Sequence, residues 1–386
     1  MSSPYTLKTI TNIEQAITML EDEWRMLTEA NSDDRNSKNQ KVLQCFMSWE
    51  WLAQWLQTYQ DYIHELKIIC VLHNDKTIAI APFYIGKSKV FGVTQNTLSL
   101  IATNEPECCE IASEFIDIAY VTKHRQKISE LLSEQLIKLN KVTQYSFKDL
   151  NKNSLMYLVC QKTKPQMLTY EEQRSGYQFV TDTNNHPQYS ASFLKKKKRI
   201  LNKYNKMCDT QNCQFIIANK KTDALNLYEQ LVQLHQKRWN KKNKLGVFSN
   251  TYFYQFHKSF IEKYFDKDMI ALSAIQIDNQ IISVNYSIKW RNILYFYQSG
   301  IDQCYKPNLS PGLLNHLLLI NYCEKQNIKQ YNLLKSSKAD DYKSQFSQLS
   351  DELINITMLS SNKLNLFCLA LYRAKYGLKH LIKLLR

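Results

Sequence analysis

Between Gly300 and Gly312 the chain reads GIDQCYKPNLSPG, a loop wedged between an apolar strand and an apolar helix. Ser310-Pro311-Gly312 looks like a helix start, with Ser as N-cap and Pro at the first helical position. Free N–H groups at such a start, following a strand, form a ready anion site, with Ser310, Gly312 and Leu313 as its candidates. An ordinary capped helix would begin the same way. Upstream, Arg238 and Trp239 lie side by side among Lys237, Lys241, Lys242 and Lys244. A planar guanidinium suits phosphate or carboxylate recognition. His235 carries an imidazole that can accept a proton near neutrality, or it simply packs on a helix face. Tyr295 and Tyr297 share one face of a strand that also bears Gln298, and either line an acceptor cleft or fill a core.

Several chemistries are excluded by counting. The 386 residues hold seven glycines, none spaced for a dinucleotide-binding G-x-G-x-x-G, a phosphate-binding P-loop or a G-x-S-x-G nucleophile elbow. No H-E-x-x-H motif and no Cys/His cluster at zinc spacing occurs, so no metal site is expected. The ten cysteines form no C-x-x-C pair and read as reduced thiols of a cytoplasmic protein. No apolar run is long enough to span a membrane, and the start lacks a signal-peptide layout.

Charge is divided unevenly. Residues 1–180 carry 19 basic and 21 acidic side chains, net −2, while residues 181–386 carry 31 and 14, net +17. An anionic ligand or surface is therefore expected at the second half. The polar stretch Thr181–Pro187 marks a linker, dividing the chain into domains 1–180 and 181–386. After it, Lys195, Lys196, Lys197, Lys198, Arg199, Lys203 and Lys206 punctuate a predicted amphipathic helix over 193–207. In the first half, helices are predicted near 13–29, 49–59 and 125–139. A loop is predicted at 31–40, and a hairpin turns at Asn74-Asp75. In the second half, helices over 222–239 and 251–265 precede strands 269–277, 280–290 and 293–301. A helix from Pro311 to about Gln326 and the strand Gln330–Leu334 follow. Both halves thus place helices ahead of an antiparallel meander, the plan of an α+β duplication.

Four segments carry a family resemblance. Leu234-His235-Gln236-Lys237-Arg238-Trp239 with Gly246-Val247-Phe248-Ser249, Tyr295 to Asp302, Ser310-Pro311-Gly312, and Tyr331 to Lys335 followed by Tyr342-Lys343 are similar to motifs of the CelD/BcsL-like (cellulose-biosynthesis-type) branch of GNAT acetyltransferases, related to FemX/FemAB-type transferases. In the first half, Phe46 to Leu52 and Ile80 to Tyr84 resemble the branch's opening motifs. Asn332 and Ser336 depart from its usual Asp and Gly.

The resemblance implies two tandem GNAT-like domains, each a mainly antiparallel sheet flanked by helices. It also implies an acyl-CoA co-substrate, with no cofactor bound permanently. Acyl transfer needs a base for the acceptor, donors for the oxyanion and a proton for the departing thiolate. On this reading His235 is the base, Asp302 a second base or its orienter, and Tyr342 the thiolate's acid. Arg238, Trp239, Tyr297, Gln298 and Lys343 bind the acceptor, an anionic or carbohydrate cell-envelope precursor. An aminoacyl-tRNA donor, as in FemX-like transfer, and a non-catalytic basic scaffold binding nucleic acid or anionic lipid are the competing readings. Nucleic acid is the less expected partner. The segment from Asn362 onward combines apolar residues with six basic and no acidic ones, so it either lies on an anionic membrane surface or packs back on its domain.

Overall fold

The computed structural model describes residues 4–29, 44–90, 93–183, 189–305, 309–345, 347–363, 365–367 and 370. The expected loop at 31–40, most of the linker and most of the C-terminal segment lie outside the described residues. So do residues 306–308 of the glycine-bounded loop.

The chain divides into two compact units. The first comprises 1–105, 111–175 and 353 onward, and the second 106–110 and 176–352. In unit 1, β1 (Tyr5–Ile10), α1 (Ile13–Met19), α2 (Glu21–Glu29) and α3 (Trp49–Thr58) precede β2 (Glu65–His73), β3 (Lys76–Val90) and β4 (Val93–Leu100). The single helix expected over 13–29 is two, parted at Leu20. A short β5 (Ala119–Tyr120), α4 (Arg125–Ile137), β6 (Gln144–Leu150) and α5 (Leu155–Thr163) complete the sequential part. Strands β1 to β4 pair antiparallel in order, and β4 then meets β6 in parallel at Thr97↔Gln144 and Leu98↔Tyr145. Trp51, Trp55 and Phe83 are fully buried in this unit, and the indole N–H of Trp51 donates to Ser113 Oγ at 2.8 Å. Buried aromatic area of this kind dominates core stability.

Unit 2 follows the same plan. The strand β7 (Met167–Asp182) enters it at Gly176 and leads to α6 (Ala191–Cys208), β8 (Cys213–Ile217), α7 (Lys221–Asn240) and α8 (Thr251–Tyr264). Then come β9 (Ile270–Ile277), β10 (Gln280–Trp290), β11 (Ile293–Ile301), α9 (Pro311–Lys325) and β12 (Gln330–Ser336). Strands β8 to β11 pair antiparallel in order, and β11 meets β12 in parallel. The apolar stripe of α6 (Phe193, Ile200, Tyr204) is buried with Leu314 and Leu317 of α9, so its cations are left on the outer side.

The expected division at 180/181 misses an exchange of strands. The sixth strand of unit 2 is β7, paired antiparallel with β12. The sixth strand of unit 1 is β13 (Gln348–Ser360), paired antiparallel with β6 across some two hundred residues of sequence. Each sheet is thus completed by a strand from the other half of the chain. Strand β13 was not predicted, because its partner lies far away in sequence and no local turn signal announces the pairing.

Candidate donor cavity

The parallel pair β11–β12 is short. It holds register at Ile293↔Gln330, Leu294↔Tyr331 and Tyr295↔Asn332, and beyond Tyr295 the two strands no longer pair. Two local devices enforce the parting. On β11, Tyr286↔Gln298 is followed by Ser287↔Phe296, which leaves Tyr297 as an extra, bulged residue. On β12, Leu334 adopts φ 59°, a left-handed conformation costly for a leucine. Its N–H donates to Asn332 Oδ1 at 2.8 Å. The Lys343 ammonium donates to the carbonyls on either side, Leu333 O at 2.6 Å and Lys335 O at 2.7 Å. Asn332, expected as a departure from the resembled branch's Asp, thus serves as a backbone clamp. Lys343, expected at the acceptor, holds the kink.

Helix α9 starts at the open end of this gap. Ser310 stands at the N-cap position, but in a left-handed conformation (φ 51°, ψ 65°) and with no side-chain cap bond. The expected serine cap is therefore absent. A capping hydroxyl reaches the N–H groups of the first turn from extended backbone, which Ser310 does not have. With Pro311 supplying no N–H, the first turn retains uncapped donors at Gly312 and Leu313.

A cavity of about 270 Å³ occupies this place, lined by Ser299, Ile301 and Gln303 from β11 and its continuation, and by Ser310, Gly312, Leu313 and His316 from α9. Lys196 of α6, Arg238 of α7, Tyr342 and Gln345 close it. Among the described residues the buried Arg238 Nε has no hydrogen-bond partner, so a guanidinium donor stands ready beside the cavity. Tyr342 is 48% exposed, yet burial around its hydroxyl and the nearby Asp341 push its pKa up to about 12. It remains a protonated donor at neutral pH.

His316 was not foreseen. Its Nδ1 lies 2.7 Å from Tyr331 Oη, and its ring meets Phe296 edge-on at 4.5 Å between centroids. Burial, with the positive Lys343 nearby, lowers its pKa to about 3, so the imidazole is neutral at working pH. Embedded in LLNHLLLINY, it carried no sequence signal beyond a polar Asn-His pair in a largely apolar run. The unfolded histidine, near 6.5, binds a proton that the folded one refuses. Stability is therefore complete above about pH 6.5 and falls as the pH drops toward 3, with a slope of at most ~1.4 kcal/mol per pH unit from this group. Urea titrations of His316→Gln, which retains a hydrogen-bonding side chain, are expected to show a shallower acid loss than the parent. An unchanged slope would remove His316 from the acid response.

The predicted catalytic trio is not assembled. His235 accepts from the Trp239 indole N–H through Nε2 at 2.9 Å, and its Nδ1 lies 3.1 Å from Gln236 Oε1. Burial lowers its pKa, and Phe248 packs edge-on at 5.0 Å. A Cβ on Gly246 would stand 2.1 Å from Gln236 Oε1. The His–Trp and Gly–Phe motif segments therefore form one packed knot at the end of α7, which positions Arg238. With its acceptor nitrogen occupied, His235 is poorly placed as a base. Asp302 lies in a different cavity. Tyr297 packs on His257 at 4.5 Å and on Tyr286 at 5.6 Å, and Gln298 Oε1 accepts from the Ser299 N–H at 3.0 Å. Trp239 has Lys242 over its ring at 5.5 Å. Tyr342, Arg238, Ser310, Gly312 and Leu313 do converge.

Among the described residues no group of histidine, cysteine, aspartate and glutamate could hold a metal ion, and no helix is long and apolar enough to cross a membrane.

Comparison with known proteins agrees with this geometry. Residues 195–344 match the family Acetyltransf_6, described as an acetyltransferase (GNAT) domain, and the match includes every lining residue of the 270 Å³ cavity except Gln345. The crystal structure of FemX superposes at TM-score 0.56 and 9% identity, over 94% of this chain and 99% of that one. A conserved protein of unknown function from Bacteroides thetaiotaomicron VPI-5482 superposes at TM-score 0.51 and 10% identity, over 92% and 99%. A tandem GNAT protein from the clavulanic acid biosynthesis pathway gives 0.48 at 7% identity, over 93% and 99%. No curated protein matches the chain by sequence. At such identities the likeness is one of fold: a mixed α+β architecture of mostly antiparallel sheet flanked by helices, whose second half is the part similar to the GNAT acetyltransferase domain.

Proposed function

We propose that unit 2 is an acyl-CoA-dependent N- or O-acyltransferase whose donor lies in the 270 Å³ cavity. The supporting observation is the parting of β11 from β12 at the uncapped start of α9, flanked by the cations Lys196 and Arg238. The gap between the parted strands admits a slender arm, while the helix start and the two cations favour its phosphates. Tyr342 stabilises the leaving thiolate by donating its hydroxyl hydrogen. The acceptor, an amine or hydroxyl of a carbohydrate or cell-envelope precursor, follows from the resemblance to the cellulose-biosynthesis-type branch.

Thermal unfolding with CoA, acetyl-CoA and longer acyl-CoAs at low and high salt tests the donor. A thioester at ~100 times its dissociation constant is expected to stabilise the protein by roughly 2.7 kcal/mol in both salts. No shift with any of them sinks the reading. An aminoacyl-tRNA donor is the second reading, favoured by the run of cations on α6 whose Lys196 reaches the cavity. That donor would instead show RNA binding that collapses with salt.

A further inference from the structure

Beneath α9 the sheet of unit 2 carries a polar seam. Residues directly opposite on neighbouring antiparallel strands share a face, and one row runs from Ser273 on β9 through Asn285 on β10 to Ser299 on β11. The next row on that face is Ala271, Ser287 and Phe296, and Ser283 precedes Asn285 on it. Asn315 of α9 shows that the helix covers this face. Its Oδ1 accepts from Ser273 Oγ at 2.8 Å, and its Nδ2 donates to Ser283 Oγ at 3.2 Å.

The neighbours of that network are left unanswered. Asn285 is fully buried, and among the described residues neither its Oδ1 nor its Nδ2 has a hydrogen-bond partner. Ser287 is buried as deeply, and its Oγ has none either. Three such atoms at successive positions of one face are costly unless something else meets them. The seam leads to the donor cavity. Ser299, opposite Asn285 at a strand spacing of about 4.8 Å, lines that cavity. Phe296, opposite Ser287, packs on His316, which lines it too.

We propose that the donor's acyl group enters this seam and bears a neutral hydroxyl, making the co-substrate a short hydroxyacyl thioester met by Asn285 and Ser287. The hydroxyacyl class rests on the acyl-CoA reading of the donor cavity and narrows it. Tyr342, assigned to the leaving sulfur, stands at the same cavity as Ser299, with its ring 6.4 Å from that of His316. An acyl group held there is one strand away from Asn285, a step that a chain of a few carbons bridges.

Charge decides the substituent. Ser273, Ser283, Asn285, Ser287 and Asn315 are all uncharged, and His316 is neutral at working pH. A carboxylate or ammonium on the acyl chain would be buried unpaired, at far greater cost than a hydroxyl. An unsubstituted chain would press methylenes against the amide and leave its hydrogen bonds unmet. A hydroxyl both donates and accepts, as the Asn285 amide does.

Isothermal titration of the full chain with butyryl-CoA, both enantiomers of 3-hydroxybutyryl-CoA and succinyl-CoA tests this. One hydroxybutyryl enantiomer is expected to bind about tenfold more tightly than butyryl-CoA, the equivalent of one net hydrogen bond. Succinyl-CoA is expected to bind more weakly than either. In Asn285→Leu, a change of similar volume, the preference for the hydroxyl should vanish. Ser287→Ala should reduce it severalfold, and keeps the test open should the leucine variant fail to fold. Equal affinity for butyryl-CoA and both hydroxybutyryl enantiomers, the mark of a seam filled by ordered water only, overturns the hydroxyacyl assignment. So does a preference that survives both substitutions, or tightest binding of succinyl-CoA. In each of those cases the thioesters still bind and the acyl-CoA reading stands, whereas no binding of any CoA compound removes both.

Discussion

Tyr342→Phe is expected to reduce kcat for acyl transfer by about 10²–10⁴-fold, the usual contribution of a positioned proton donor, while leaving KM for the donor nearly unchanged. Burial and Asp341 hold the hydroxyl's pKa at about 12, so it stays protonated and its contribution persists into alkaline conditions. The side chain is nearly half exposed, so loss of one oxygen leaves the fold intact. Steady-state kinetics with acetyl-CoA, accompanied by circular dichroism, checks this. A variant that turns over at the parent rate would reduce Tyr342 to packing against His316, whose ring lies 6.4 Å away.

The second large effect concerns Gly300. A Cβ there would stand 2.5 Å from the Leu231 carbonyl oxygen, 2.9 Å from Leu231 Cα and 2.9 Å from Leu234 Cβ. Two of these are backbone atoms of α7, and no rotamer change relieves them. Gly300→Ala must therefore push α7 off β11, at a cost of about 2–3 kcal/mol for overpacking of this kind. Urea unfolding should show a lower midpoint with an unchanged slope. Because β11 and α7 both wall the donor cavity, donor binding should weaken as well. An unaltered midpoint would mean that the helix moves freely at this contact. Gly246 lies as close to Gln236 Oε1, but that atom ends a flexible side chain and can yield.

The comparison of sequence with structure is instructive at particular residues. Strands β9, β10 and β11 were legible because two-residue turns, Asp278-Asn279 and Arg291-Asn292, separate them, with positive φ at Asp278, Asn279 and Arg291. Helix α6 was legible from an apolar stripe among lysines. Arg238 and the start of α9 were found from residue type and neighbourhood, Tyr342 from the family resemblance, and the fold gathers them at one cavity. His235 was misread for an intelligible reason. A histidine beside an arginine and a tryptophan looks like chemistry until the indole N–H is seen on its acceptor nitrogen. His316 was missed because nothing in an apolar helical run says that one turn opens onto a cavity.

The sequence by itself determined the mixed α+β class, the positive second half, the helix that closes the parallel pair and the cations beside it. These follow from periodicity, composition and the proline at the helix start, all of which act within a few residues. Tertiary structure alone decided that β7 and β13 complete each other's halves, and that Asn332 and Lys343 hold a kink. It alone put Asp302 and Tyr342 in separate cavities. Those outcomes depend on pairings and close approaches between segments far apart in the chain. The free energy of such contacts exists only once the intervening residues have folded.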